Sequence, residues 1–251
     1  LETATPLLDS KVVFPNNPEA VSYGIIELCP DTVVKGGYVR TDIEARTLNF
    51  VRSNTSIPVP KVRRYMEYET EQFILMEKIE GTPLDRLWPS FSPLQRLQVA
   101  WTLRGYILEL RRASANYYRR HIPGPMADTP QQCRGAAALF YDRPAGPFED
   151  TRQLLDYFTR RHGNNGPRFD ISYESQPLVL NHGDLSMRNI IVGRDGKLWL
   201  VDWEWAGFYP PFCESISMKS TALNDDAPSS WLKCIPLITG VWVKEEKMRG
   251  C

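Results

Sequence analysis

Leu178 to Gly207 runs LVLNHGDLSMRNIIVGRDGKLWLVDWEWAG. Leu178-Val179-Leu180 is a short apolar strand, and Ile190-Ile191-Val192 and Leu198-Trp199-Leu200-Val201 are two more, separated by Gly193-Arg194-Asp195-Gly196. Asp-Gly between apolar runs is a strong hairpin signal, because both residues accept the left-handed backbone that a tight turn demands. Closing the hairpin brings its open ends together, so Asn189 before one strand and Asp202 after the other become neighbours. Amide and carboxylate oxygens suit a hard cation such as Mg²⁺, which keeps waters and takes its remaining ligands from substrate phosphates. Asp184, five residues before Asn189 on the same loop, is placed to face an acceptor hydroxyl, the position of the base in phosphoryl transfer.

Working outward, the segment from Val21 to Leu28 and that from Thr32 to Lys35 read as strands joined by a Cys29-Pro30-Asp31 turn. Thr41-Asp42-Ile43-Glu44 has capping-box form and predicts a helix from about Asp42 to Ser53. Strands are expected over Lys61 to Glu67 and Gln72 to Ile79, making a small sheet of about four strands with one helix before Gly81. Beyond it the pattern turns helical. Ser92 as N-cap, Pro93 at the first turn and Gln95 open a helix whose face is Leu94, Leu97, Trp101 and Leu108. Leu103, Ile107 and Leu110 widen that face, which predicts burial on two sides. Ile122 to Phe148 is rich in Pro, Gly and Ala and reads as loops, followed by a helix near Thr151 to Arg161. The last ~35 residues give no clear periodicity.

Composition narrows the function. Of 251 residues, 42% are hydrophobic and 24% charged, with 30 basic and 30 acidic side chains. That balance is ordinary for a globular protein and speaks against a nucleic-acid partner bound through bulk positive charge. No apolar run approaches the ~18 residues that cross a bilayer, so no membrane partner is expected. Leu1 to Pro6 lacks the basic and apolar regions of a signal peptide, which predicts a cytoplasmic address. The five cysteines form no C-x-x-C pair and read as reduced thiols.

His182-x-Asp184, then Asn189, then Asp202 beyond a hairpin resembles the corresponding segment of aminoglycoside phosphotransferases and choline-kinase-like enzymes, and most of all the fungal-type phosphotransferase-family domain. Further signatures follow in family order: Val33-Val34-Lys35-Gly36, Glu44-Ala45, Ile57-Pro58-Val59-Pro60-Lys61, Leu75 to Leu84 (LMEKIEGTPL), Gly146-Pro147-Phe148 and Asp202 to Pro210 (DWEWAGFYP). They cover roughly Val21 to Glu214. The resemblance implies an α+β, bilobal, protein-kinase-like fold. Residues 1–80 would form a small antiparallel-sheet N-lobe with one helix, and residues 81–251 a larger, mainly helical C-lobe. It implies ATP and Mg²⁺ as cofactors, a small-molecule acceptor, Asp184 as base, Asn189 and Asp202 as metal ligands and Lys35 on the α- and β-phosphates. Glu44 would orient Lys35, although it also serves as the capping-box acid, and Lys35 also fits a solvated strand end. His182 would brace the loop as a structural residue. Met76, Glu77 and Ile79 would belong to the hinge that meets adenine.

Three differences set the chain apart from protein kinases: Gly183 precedes Asp184, Ser186 stands where those enzymes commonly place Lys, and Trp203-Glu204 follows Asp202. A small-molecule acceptor is therefore expected, and Asp225-Asp226 reads either as an exposed acidic loop or as a contact for a cationic substrate. Only Gly24 lies near the place of a phosphate-covering glycine turn. That leaves open a nucleotide- or ligand-binding protein on the same fold that does not transfer phosphate.

Overall fold

The computed structural model describes residues 25–37, 40–69, 71–115, 117, 121–135, 139–161, 174 and 176–242. Gly24, the expected start of the first strand at Val21 and Cys251 lie outside the described residues. Strands β1 (Ile25–Cys29), β2 (Thr32–Gly37), β3 (Val62–Tyr68) and β4 (Glu71–Glu77) form an antiparallel sheet in the order β1-β2-β4-β3, with helix α1 (Thr41–Asn54) packed on it. The Thr32 to Lys35 reading of β2 ends early because Gly36 and Gly37 still pair with Phe73 and Gln72. Gly36 is required there: a β-carbon would stand 2.1 Å from the Phe73 ring.

On leaving this sheet the chain forms β5 (Gly81–Pro83), which pairs with the hairpin β10 (Ile190–Gly193) and β11 (Leu198–Leu200), in the order β11-β10-β5. A short α2 (Leu84–Leu87) leads to α3 (Pro93–Ser114), whose capping box matches the sequence reading: Ser92 Oγ accepts the Gln95 amide while Gln95 returns the bond to the Ser92 amide. Of the two sides of α3 expected to be buried, only one is. Val99, Leu103, Ile107 and Leu110 pack inward, whereas Leu94 and Trp101 are 66% and 72% exposed and Leu97 is exposed too. Two apolar faces compete on this helix, and the choice falls to α6 (Ser229–Thr239) and β9 (Val179–Asn181), which pack on the other side.

The segment read as loops from Ile122 to Phe148 contains strands. β6 (Gly124–Pro125) joins β12 (Gly207–Tyr209) and β9 in a three-stranded sheet, and β7 (Cys133–Gly135) pairs with β8 (Phe140–Ala145). Runs of two to six residues holding Pro and Gly are too short to show a period-2 pattern. The expected helix after them is α4 (Thr151–Arg161), and the unread C-terminal part contains α5 (Phe212–Asn224) and α6. One core runs from Leu48 and Val51 of α1 through Ile74 and Met76 of β4 to Leu103, Leu200, Trp203 and Trp231. No helix among the described residues is long and apolar enough to cross a membrane.

The one-sided burial of α3 is measurable by urea unfolding. Leu103→Ala should cost about 2–5 kcal/mol, as buried truncations do, and Leu97→Ala no more than about 0.5 kcal/mol.

Candidate active site

The β10–β11 hairpin closes with Ile190 opposite Leu200, and the Val201 amide donates to the Asn189 carbonyl at 3.0 Å, so the chain segments carrying Asn189 and Asp202 run side by side. Asp202 leaves β11 with φ of 67°, a left-handed conformation that Asp tolerates better than most residues. Gly183 is also left-handed, and a β-carbon on it would meet the Trp205 carbonyl oxygen at 2.5 Å. The loop from His182 to Asn189 is thus pressed against the segment after β11.

Asp184 is buried and held by donors on both carboxylate oxygens. Oδ2 accepts from Arg188 Nη2 at 2.7 Å and from Asn189 Nδ2 at 2.9 Å, and Oδ1 accepts from Thr221 Oγ1 of α5 at 3.1 Å. Burial pushes its pKa up to about 6; Arg188 pulls it down and Asp202 adds to the rise. Asn189 also donates to the Asp184 carbonyl at 2.9 Å, which turns its amide oxygen away from Asp184.

Lys35 of β2 brings the second group together. Its ammonium lies 2.8 Å from Glu44 Oε2, 2.5 Å from Asp202 Oδ1 and 3.1 Å from Glu204 Oε2. Burial alone would favour the neutral amine, but Glu44, Asp202 and Glu204 outweigh it and raise the pKa, so Lys35 stays charged. Glu44 is not the capping-box acid of α1. The N-cap is Arg40 with no side-chain bond, and Glu44 is fully buried, its Oε1 accepting the Trp203 amide at 3.2 Å. Burial pushes the Glu44 carboxyl up, against the pull of Lys35. The sequence reading missed Glu204, although its place two residues after Asp202, in the turn that follows β11, was a usable signal.

His182 is fully buried. Its Nδ1 accepts the Asp184 amide at 3.3 Å and its Nε2 faces the Val201 carbonyl at 3.0 Å, which assigns the neutral tautomer with hydrogen on Nε2. Beneath it Glu214 of α5, also missed, accepts the His182 amide at 2.5 Å and the Gly183 amide at 3.3 Å. Burial pushes Glu214 up to about 7 while these two amides pull it down. Met76 and Glu77 end β4, and Ile79 lies on the connection to β5. Here the Glu77 amide donates to the Lys61 carbonyl at 2.9 Å and the Lys78 amide to the Asp31 carbonyl at 3.0 Å. The structure therefore gathers Lys35, Glu44 and Asp202 at one point and Asp184, Asn189 and His182 on the adjoining loop, while Met76, Glu77 and Ile79 line the exit from the sheet.

A sheet with one helix followed by a hairpin and a helical part is the arrangement of kinase-like phosphotransferases. The GDP complex of a point mutant of an aminoglycoside 2'-phosphotransferase shares it, with a TM-score of 0.55 at 15% identity, over 90% of this chain and 78% of that one. The phosphotransferase enzyme family model matches residues 36–233, and the chain belongs to that family. Similar too are aminoglycoside phosphotransferase APH(3'')-Id from Streptomyces rimosus (TM-score 0.48, 16% identity, 87% of this chain and 83% of that one) and a macrolide 2'-phosphotransferase from Brachybacterium faecium (0.46, 15%, 87% and 72%). No curated protein sequence matches the chain.

Burial lowers the His182 pKa from 6.5 to about 4. Above the higher value neither state binds the proton. Between the two only the unfolded chain does, so the stability that neutral His182 contributes is lost as pH falls through this window. Urea unfolding of wild type and His182→Gln at several pH values should show the wild type's advantage shrinking by up to about 3 kcal/mol between about pH 7 and pH 4. A constant difference would deny the imidazole this role.

Proposed function

We propose that the protein transfers the γ-phosphate of ATP to a hydroxyl of a small molecule. One observation carries the reading: a single buried ammonium, Lys35, faces three carboxylates, Glu44, Asp202 and Glu204. The excess of negative charge is a seat for a cation. One carboxylate oxygen from each of these acids lies within 4.8 Å of the others, and oxygen is the donor Mg²⁺ takes. Asp202, Asn189 and Glu204 would hold Mg²⁺, which would neutralise phosphate charge. Lys35, steadied by Glu44, would bind the α- and β-phosphates, with Met76, Glu77 and Ile79 at the adenine end. The acceptor oxygen forms its bond to the γ-phosphorus as the bond to the β,γ-bridging oxygen breaks, the leaving group departs as ADP, and the acceptor proton passes to Asp184. Positioning and charge supply most of the rate.

A cavity of about 250 Å³ opens beside the loop, lined by Asp85, Ser186, Met187, Asp225, Asp226 and Trp231 among others. We take it as the acceptor's seat. Asp85 and Asp226, beside an Asp225 that Arg188 already holds, suit an acceptor with a cationic group, and the buried Ser186 Oγ, which has no hydrogen-bond partner, offers a donor and an acceptor.

Thermal shift with ATP should show stabilisation that requires Mg²⁺ in wild type and is lost in Asp202→Asn. Phosphate transfer to a panel of amino alcohols, sugars and aminoglycosides should fall by about 10²-fold or more in Asp184→Asn. Nucleotide-dependent stabilisation without transfer to any acceptor would favour a binding protein on the same fold.

A further inference from the structure

Asp184 is more heavily bonded than a free base needs to be. A carboxylate offers about four lone-pair positions, two on each oxygen. Arg188 and Asn189 occupy both positions on Oδ2, whereas Thr221 donates to Oδ1. Arg188 is itself held at two ends: Nη2 bonds Asp184 and Nη1 bonds Asp225 Oδ2, so the planar guanidinium spans the loop and the turn after α5. Both Arg188 and Asp225 lie in the wall of the acceptor cavity. A guanidinium presents its donors in a rigid, planar fork.

We propose that Arg188, tethered by Asp225, is a positioning residue that saturates one oxygen of Asp184 and leaves Oδ1, steadied by Thr221, as the atom that receives the acceptor proton. The inference rests on the reading of Asp184 as base. Its content is geometric. The clamp fixes the rotation of the carboxylate about its Cβ–Cγ bond, so that the open lone pair keeps one direction, and a misplacement of about 1 Å at such a group costs on the order of 10²-fold in rate. Asp225 acts at second hand, by holding the far end of the fork.

The test uses water as acceptor: release of inorganic phosphate from ATP and Mg²⁺ with no other acceptor added, read as kcat and KM for ATP. Asp184→Asn should abolish release. Arg188→Met should lower kcat roughly 10- to 100-fold with KM for ATP within about twofold. Arg188→Lys should recover part of the loss, since it restores charge without the fork, and Asp225→Asn should cost less than Arg188→Met. Thr221→Ser should keep the rate that Thr221→Val loses. Equal release from wild type and Asp184→Asn, including none from either, would overturn the base reading and the clamp with it. Loss in Asp184→Asn with wild-type kcat in Arg188→Met would overturn the clamp alone. A raised KM with unchanged kcat would make Arg188 a phosphate-binding residue and also overturn it. If Arg188→Met fails to fold, Arg188→Lys and Asp225→Asn decide: wild-type kcat in both refutes the clamp.

Discussion

The ammonium of Lys35 is the tie on which the rest depends. It sits on β2 and reaches Glu44 of α1, then Asp202 and Glu204 of the segment after β11, so one charge joins three separate stretches of chain. Such a cluster is a weak source of net stability, because each ion is withdrawn from water. Removing one partner is nevertheless strongly destabilising, at about 3–5 kcal/mol, since a buried charge is left alone. The arrangement is better understood as specification. It fixes where the loop after the hairpin lies against the sheet, and the Glu44 bond to the Trp203 amide repeats the instruction in the backbone.

The loop before the hairpin is held by a second set of bonds with a different logic. His182, buried and neutral, links the Asp184 amide to the Val201 carbonyl, and Glu214 gathers two consecutive amides from below. A tight loop exposes backbone donors that cannot all be paired within the loop, and burying them unpaired would cost roughly 1–3 kcal/mol each. Glu214 of α5 supplies two of the missing acceptors, and the imidazole of His182 at the loop's own start supplies a third. Asp184 can then be buried without being free to turn.

How much of this was legible in the sequence follows from distance along the chain. The hairpin was readable because Asp195-Gly196 and two apolar runs are contiguous, and the strand pairs and the capping box of α3 for the same reason. Glu44 was ambiguous because the local pattern that fits an N-cap is also what a buried helix acid looks like; only Lys35 and Trp203, brought in by the fold, decide it. Glu214, Arg188 and Thr221 carry no recognisable local signal, and their partners lie 4 to 37 residues away. Burial of α3 on one side only is not legible, since Leu94, Leu97 and Trp101 are as apolar as Val99, Leu103 and Ile107, and the surface that covers one set is supplied by α6 and β9.

Asp202 combines a carboxylate bonded to Lys35 with a backbone at φ of 67°. The two demands have different lists of acceptable amino acids. Glycine and asparagine take the turn easily but bring no negative charge, and glutamate brings the charge on a side chain too long to stabilise the turn by bonding its own backbone. Aspartate is the residue common to both lists. An alanine scan at this position therefore measures turn strain and lost charge together, while asparagine isolates the charge.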